Sequence, residues 1–502
     1  MTPEMTAEQA TSQTPADSTP KASKPKTAIV VIHGMGEQQP METLRGLVNA
    51  LWVCDPDITG KRDSTIYSKP DSITGSFELR RITTRNVALE NGVPKRADFF
   101  EFYWAHLMTG NTVKSVTSWL ISLLIRKPSS VPVRLRLPWL VGIVLFSMTV
   151  LELALAGAKA VLPDVLTALH LPPIPAGWYL AASVFTLVFG LFSTWWLAPV
   201  AGDAARYLSP TPENVAARQT IREAGVDLLT KLHGSGNYDR IIVIGHSLGS
   251  VIGYDVLNYA WGRLSADDLL CRHEQGSRVL ETLGALEKAA GTLCHASQAD
   301  TGAARSAYRM AQRAYQTELR RGQEDLPPIW MVTDFITLGC PLSKGDVLLA
   351  KDNHDFSIRK WQRELPTCPP WLEKNDAKNK RFRFSYPIDE TVRIPHHAAI
   401  FGPVVWTNVY FGNFLIVFGD IISGAVAPRL GRGVLDVRLK IHGPVFRHLD
   451  YWKDPKSDPP RPWLRALRRA TNLKCLDDQT LWGEQAESEE IKADDLPNQI
   501  RT

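Results

Sequence analysis

The sequence predicts an α/β fold, a mostly parallel sheet flanked by helices, with an inserted two-helix transmembrane hairpin and a helical cap insertion. Three observations predict it. Four β-branched apolar residues, Ile241-Ile242-Val243-Ile244, run into Gly245-His246-Ser247-Leu248-Gly249, and a helix-like segment follows. Short apolar runs alternate with helical segments elsewhere, the pattern of a sheet covered on both faces. Two long blocks, 138–162 and 177–200, are almost free of charge.

The elements follow in order. Residues 1–26 are rich in Thr, Pro, Ser, Ala and Lys and lack the apolar core of a signal peptide. Too little apolar surface is present there to offset ordering entropy, so a disordered tail is expected. Residues 27–112 read as the first part of the sheet domain: a strand over 27–33, a turn at Gly34-Met35-Gly36, a helix over 41–53, and strands over 77–84 and 97–103. Residues 113–206 hold an amphipathic interfacial helix over 113–125, with Trp119, Leu120, Leu123 and Leu124, and then the two apolar blocks.

Each block covers the roughly 20 residues that a helix needs to cross about 30 Å of hydrocarbon. The second carries Trp178 and Tyr179 at one end and Trp195 and Trp196 at the other, the placement of interfacial anchors. Glu152 opposes this reading, at about 2.5–3.5 kcal/mol for a carboxylate at mid-membrane, and the other residues of the block outweigh it. Arg126, Lys127, Arg134 and Arg136 precede the first block and Arg206 follows the second, whereas the connector 163–176 has no Lys or Arg. The positive-inside rule then expects an integral membrane protein of two spans, with the sheet domain and both termini in the cytoplasm.

Residues 207–262 hold a helix over 215–233, the Ser247 strand, and a helix over 250–261. Residues 263–326 are polar, rich in Ala, Arg and Glu, and read as the helical cap, a surface for a protein partner. Residues 327–482 complete the sheet domain with strands over 329–338, 404–410 and 434–441, a charged irregular stretch over 351–389, and a basic helix over 461–474 that faces either anionic lipid or solvent. Residues 483–502 form an acidic tail, expected to be disordered.

The totals exclude some classes. A net charge of +5 over 502 residues makes no case for nucleic acid. The six cysteines are scattered with no C-x-x-C pair, the pattern of reduced thiols in a cytosolic compartment rather than a zinc site.

The chemistry starts at Ser247. A strand entering Gly-x-Ser-x-Gly and leaving as a helix holds a serine in a strained turn, its hydroxyl aimed off the end of a parallel sheet. Acyl transfer also needs a base, a group to orient it, and donors for the oxyanion. The Leu248 amide, just after the nucleophile, is one expected donor. Met35 in the early turn is the other, with Gly36 as its alternative. A phosphate-binding loop is disfavoured, because no G-x-G-x-x-G and no Gly-Lys-Ser/Thr follows.

His33-Gly34-Met35-Gly36, Gly245-His246-Ser247-Leu248-Gly249 and Thr337-Leu338-Gly339-Cys340-Pro341 together resemble the lipase-like serine esterase branch of the α/β-hydrolase superfamily. The resemblance covers the core strands only. It implies that the acid and the histidine follow the serine in the chain. Trp406-Thr407-Asn408-Val409-Tyr410 resembles the strand before the acid, which points to Asp420, with Asp389 and Asp436 as rivals and a plain helix cap as Asp420's other reading. His448-Leu449-Asp450-Tyr451-Trp452 resembles the branch's His-x-x-Tyr-Trp ending, so His448 is the expected base and His442 the alternative. His246 is expected to pack locally and point away from Ser247. The implied activity is hydrolysis of a carboxylic ester, favoured to be a lipid at the bilayer, through a Ser247-His448-Asp420 triad and without metal or cofactor. A thioesterase, an amidase or an acyltransferase would use the same residues. A membrane scaffold or regulatory module that keeps the fold without turnover is the alternative of another class.

Overall fold

Apolar runs long enough for one strand and buried on both faces build the centre of the computed structural model of this chain. The structure describes residues 26–35, 39–59, 66–108, 206–264, 277–321, 328–374, 382–388, 393–412, 419–440 and 446–482, apart from short gaps within them, and scattered positions between 125 and 204. Eight strands form one sheet: β1 (Thr27–Ile32), β2 (Ile66–Pro70), β3 (Arg80–Thr84), β4 (Ala97–Phe102), β5 (Arg240–His246), β6 (Val332–Leu338), β7 (Val405–Phe411) and β8 (Leu435–Leu439). Their spatial order is β8-β7-β6-β5-β1-β4-β3-β2. Strands β8 through β4 in that order are mutually parallel, and β3 and β2 form an antiparallel hairpin at the edge.

Besides single-turn helices over Pro56–Thr59, Gly345–Leu348 and Ala427–Leu430, the described helices are α1 (Glu42–Val48, continued by a π-helical turn over Asn49–Val53), α2 (Pro212–Gly234), α3 (Leu248–Leu264), α4 (Ser277–His295), α5 (Thr301–Arg320), α6 (Asn353–Trp361), α7 (Pro462–Thr471) and α8 (Asp478–Trp482). Every residue of β1, β5 and β6 is buried, because layers of helix cover both faces of a parallel sheet. Side chains alternate across the strand. Val30, Ile32, Val243, Phe335 and Trp406 enter one core with α2, α3, α4 and α5. Ile29, Val31, Ile242, Ile244, Ile336 and Val409 enter the other with α1 and α7.

The register brings the carboxyl ends of the central strands to one edge. Ile32 lies opposite Gly245, His246 opposite Leu338, and Leu338 opposite Val409. The loops that leave this edge after β1, β6, β7 and β8 therefore start within one to three strand positions of Ser247.

Three segments differ from the sequence reading. The basic stretch over 461–474 packs its apolar face into the sheet domain. Leu464, Leu467 and Ala470 of α7 are buried in the second core, and Arg468 donates to the Ala50 and Cys54 carbonyls at 2.9 and 2.7 Å, tying α7 to the end of the first helix. Its charges sit on the other face of a strongly amphipathic helix, which composition alone hides. The stretch over 351–389 contains α6, capped by the Asp352 side chain accepting from the Asp355 amide at 2.8 Å. The strand β2 was hidden by its exposed, polar edge position.

The helical insertion over 263–326 is seated in the main core. Tyr308 Oη of α5 donates to the Phe401 carbonyl at 2.6 Å, Gln312 Nε2 to the Phe401 and Val404 carbonyls at 2.8 and 3.0 Å, and Gln316 Nε2 to the Thr333 carbonyl at 2.7 Å. Arg313 pairs with buried Asp334 at 2.6 Å. These partners lie at the amino ends of β6 and β7, the opposite edge from Ser247.

The second apolar block and most of the first fall outside the described residues, as do the interfacial segment over 113–124 and nearly all of both tails. Among the described residues, no helix is long and apolar enough to cross a membrane.

Candidate active site

The turn after β5 is built by close approach. The Ser247 amide still donates to the Leu338 carbonyl at 2.9 Å, so the serine begins as the last rung of the ladder. Its φ of 51° then reverses the chain into α3, and the Ser250 amide donates back to the Ser247 carbonyl at 2.9 Å. A left-handed conformation costs a residue with a side chain about 1–2 kcal/mol, which the surrounding core must impose. The flanking glycines permit it. A Cβ on Gly245 would sit 2.7 Å from the Gly249 carbonyl oxygen, and one on Gly249 would strike the Ile32 carbonyl oxygen. Both obstacles are backbone and cannot move aside.

The structure brings Ser247, His448 and Asp420 together. His448 Nε2 lies 2.9 Å from Ser247 Oγ, and His448 Nδ1 lies 2.9 Å from Asp420 Oδ2. The three are separated by up to 201 positions in the chain and all are buried, with Ser247 1% and Asp420 0% exposed. With an ionised carboxylate as acceptor, Nδ1 carries the proton and donates to Asp420, so Nε2 is left free to accept from the serine hydroxyl.

Asp420 is held by more than the histidine. Tyr451 Oη donates to the same Oδ2 at 2.7 Å, while the Ile422 and Ser423 amides donate to Oδ1 at 3.1 Å each. Burial alone would raise its carboxyl. The hydrogen bonds from His448, Tyr451 and Ser423, with the attraction of the imidazole, outweigh burial and hold it well below the usual carboxylate range. The loop reaches this position because Gly419 bridges Phe446 in parallel fashion, and the Arg447 amide donates to the Gly419 carbonyl at 2.9 Å. The acid loop and the histidine loop are thus stitched to each other. Gly339, with φ of +63°, completes the floor: a Cβ there would lie 3.0 Å from Tyr451 Cε2, 3.1 Å from Asp420 Oδ2 and 3.1 Å from His448 Cε1.

The early turn is also at the site. A Cβ on Gly34 would come 3.1 Å from Ser247 Cβ, so the peptide leading into Met35 flanks the nucleophile. His33 anchors it, stacking on Trp104 at 4.9 Å, accepting from the Trp104 amide at Nε2 at 3.3 Å and offering its carbonyl to the Trp104 indole at 3.0 Å. Burial lowers the His33 imidazole to about 4, so it stays neutral. Leu248 opens α3, where the first amides have no intrahelical partner and the helix dipole is positive. Gly36, the alternative donor, lies outside the described residues.

His246 turns away from the serine hydroxyl. Its Nε2 donates to the His448 carbonyl at 3.0 Å, and its ring packs edge-on against Trp452 at 4.9 Å and Tyr451 at 5.9 Å. Burial, with the repulsion of His448, lowers it to about 3, so it acts as a neutral strut for the histidine loop. The roles of Tyr451 and Trp452 were missed, although both stand in the His-x-x-Tyr-Trp ending. Lys344 and Gly339 were missed as well. The signal for Gly339 was its place directly after an apolar strand, where a left-handed turn favours glycine.

Among the rivals, Asp436 is a structural acid: it accepts from Asn408 Nδ2 at 2.7 Å and from the Val426 and Ala427 amides at 2.9 and 2.8 Å. Asp389 and His442 lie outside the described residues. Among the described residues, no cluster of ligating side chains is suited to hold a metal ion.

The geometry defines a buried serine–histidine–carboxylate relay at the carboxyl edge of a mostly parallel α/β sheet. Comparison of the chain with known families, with characterised proteins and with solved structures found no match.

Proposed function

We propose that the protein is a membrane-anchored serine hydrolase of the α/β-hydrolase type that cleaves a carboxylic ester, favoured to be that of a lipid. The observation that carries this reading is the unbroken chain Ser247 Oγ–His448 Nε2, His448 Nδ1–Asp420 Oδ2, both links at 2.9 Å. Strand order adds support: nucleophile after β5, acid after β7 and histidine after β8 is the arrangement the resemblance implies.

His448 takes the hydroxyl proton as Ser247 Oγ attacks the acyl carbonyl. Asp420 keeps the ring in the reactive tautomer and stabilises the imidazolium. The Leu248 and Met35 amides hold the oxyanion, each donor contributing about 3 kcal/mol. The tetrahedral intermediate expels the alcohol, which takes its proton from His448. Water, activated by the same imidazole, then releases the acid and restores Ser247.

Placement at a membrane rests on the apolar blocks and on where the insertion is rooted. The chain leaves the described sheet domain at Met108, just past β4 and Trp104, and re-enters near Arg206, whose guanidinium donates to the Met108 carbonyl at 3.3 Å. Both roots are on the side of Ser247, Met108 directly after the 3₁₀ turn Ala105–Leu107 that follows the His33–Trp104 stack. Leu140, Val144, Phe146 and Val150 within the insertion are 45–51% exposed, which suits hydrocarbon better than water. Phe446 and Leu449, beside the histidine, are 41% and 48% exposed and offer an apolar rim for an acyl chain.

A fluorophosphonate probe tests the reading on the full chain in detergent. Wild type is expected to label and to hydrolyse short and long acyl esters. Ser247→Ala and His448→Ala lose both, and His442→Ala keeps both. Labelling that survives Ser247→Ala, or absence of labelling in folded wild type, overturns the proposal.

A further inference from the structure

Lys344 ends the 3₁₀ turn Pro341–Lys344 that follows β6, and its ammonium points at the acid loop. Nζ donates to the Ile422 carbonyl at 2.8 Å and to the Ser423 carbonyl at 3.0 Å. The Ile422 carbonyl and the Ser423 amide belong to one peptide group, and that amide donates to Asp420 Oδ1 at 3.1 Å. The ammonium is therefore joined to the carboxylate through a single peptide. A charged donor at the oxygen of a peptide group polarises it and strengthens the bond its N–H makes on the other side.

We propose that Lys344 is a positioning residue for the triad: its ammonium clamps the 420–423 loop and, through the Ile422–Ser423 peptide, braces the Asp420 carboxylate that orients His448. The inference rests on the serine-hydrolase reading and adds to it a residue that never touches substrate. A lysine serves here because two carbonyls diverge from one point, and a compact three-donor ammonium satisfies both, with Ser343 Oγ as a third neighbour at 3.5 Å.

The charged and titratable groups facing Lys344 come from four elements. They are Asp420 on the acid loop, Cys340 after β6, Asp346 in the next turn, and Arg429 on the short helix Ala427–Leu430. Arg429 is itself paired with Asp346 at 3.1 Å. Burial pulls the Lys344 ammonium down to about 8, against the raising pull of Asp420, Cys340 and Asp346. Its charge is therefore lost inside the range of an ordinary assay.

The test uses Lys344→Met and Lys344→Arg in the full chain, assayed with a soluble short-chain acyl ester from pH 6 to about 10, beside Ser247→Ala. Lys344→Met is expected to lower kcat about 10- to 100-fold, the usual weight of an outer-shell orienting group, with KM within about twofold. Lys344→Arg should restore most of kcat. Wild-type kcat should fall as pH rises through about 8, and the arginine variant, which cannot deprotonate in that range, should keep its plateau. Wild-type kcat and pH profile in Lys344→Met overturn the inference. So does an alkaline step in Lys344→Arg at the wild-type position, and this arm decides alone if Lys344→Met does not fold. Activity persisting in Ser247→Ala sinks the underlying hydrolase reading instead, so the two failures are told apart.

Discussion

Replacing Tyr451 by Phe removes one oxygen from the floor of the site and leaves the ring. The hydroxyl is 2.7 Å from Asp420 Oδ2 and the residue is 1% exposed, so neither partner has water to fall back on. A hydrogen bond to a charged group is worth about 1.5–3 kcal/mol. Also lost are the 3.4 Å contact from the Phe411 amide, too long to add much, and a side-chain contact with Ser423. Asp420 keeps His448 on Oδ2 and two backbone amides on Oδ1, so the carboxylate stays in place but is less well satisfied.

Denaturant unfolding at pH 7 should show Tyr451→Phe less stable by about 1.5–3 kcal/mol. If about half of that loss falls on the transition state, kcat drops about 3- to 12-fold, at about 1.4 kcal/mol per decade. The pH dependence has a definite sign. A carboxyl held below its ordinary value contributes stability that is present above about pH 4, where the unfolded chain is ionised, and that is lost as pH falls through the folded value. The gap between variant and wild type should therefore be widest near neutrality and narrow in acid. A variant within about 0.5 kcal/mol of wild type, with unchanged kcat, would refute the account of the Asp420 cage.

Further outcomes follow from single contacts. Gly339→Ala places a methyl 3.0–3.1 Å from Tyr451, Asp420 and His448 at a φ of +63°, and should destabilise by about 1–2 kcal/mol while cutting kcat, both read on purified protein. Leu467→Ala opens a void under α7, where the side chain is fully buried, and should cost about 2–5 kcal/mol in unfolding with little effect on KM. Glu101 accepts the Met41 and Leu44 amides at the start of α1, and burial, opposed by those bonds, raises its carboxyl to about 7. A raised carboxyl stabilises below its unfolded value, near 4.5, and that contribution is lost as pH climbs through about 7. Unfolding of Glu101→Gln from pH 5 to pH 8 should thus decline less than wild type; a parallel decline would exclude Glu101 as the source.

Much of the sheet was legible because parallel strands buried on both faces leave unbroken apolar runs. Thr27–Ile32, Arg240–His246 and Val332–Leu338 could be placed within a few residues for that reason. Edge strands and amphipathic helices leave no such mark. Ile66–Pro70 is exposed and polar, and α7 mixes four buried apolar residues with arginines, so each reads as surface until its neighbours are known. Ser247 was legible from local backbone demands: two glycines and a strand-to-helix reversal within five residues. Asp420 and His448 were reached only by chain order and resemblance, and the roles of Tyr451, Trp452, Gly339 and Lys344 were not reached at all.

What the chain alone settled is whatever a few adjacent residues must do to satisfy sterics and water: which runs are strands, and where one serine is pushed off the end of a sheet. Tertiary structure decided which distant oxygens and nitrogens share a buried volume. Asp420 lies 28 positions from His448, which lies 201 from Ser247, and no local propensity encodes such a meeting. It arises from strand register, which brings three loops to one edge, and from burial, which leaves each polar atom there only the others as partners.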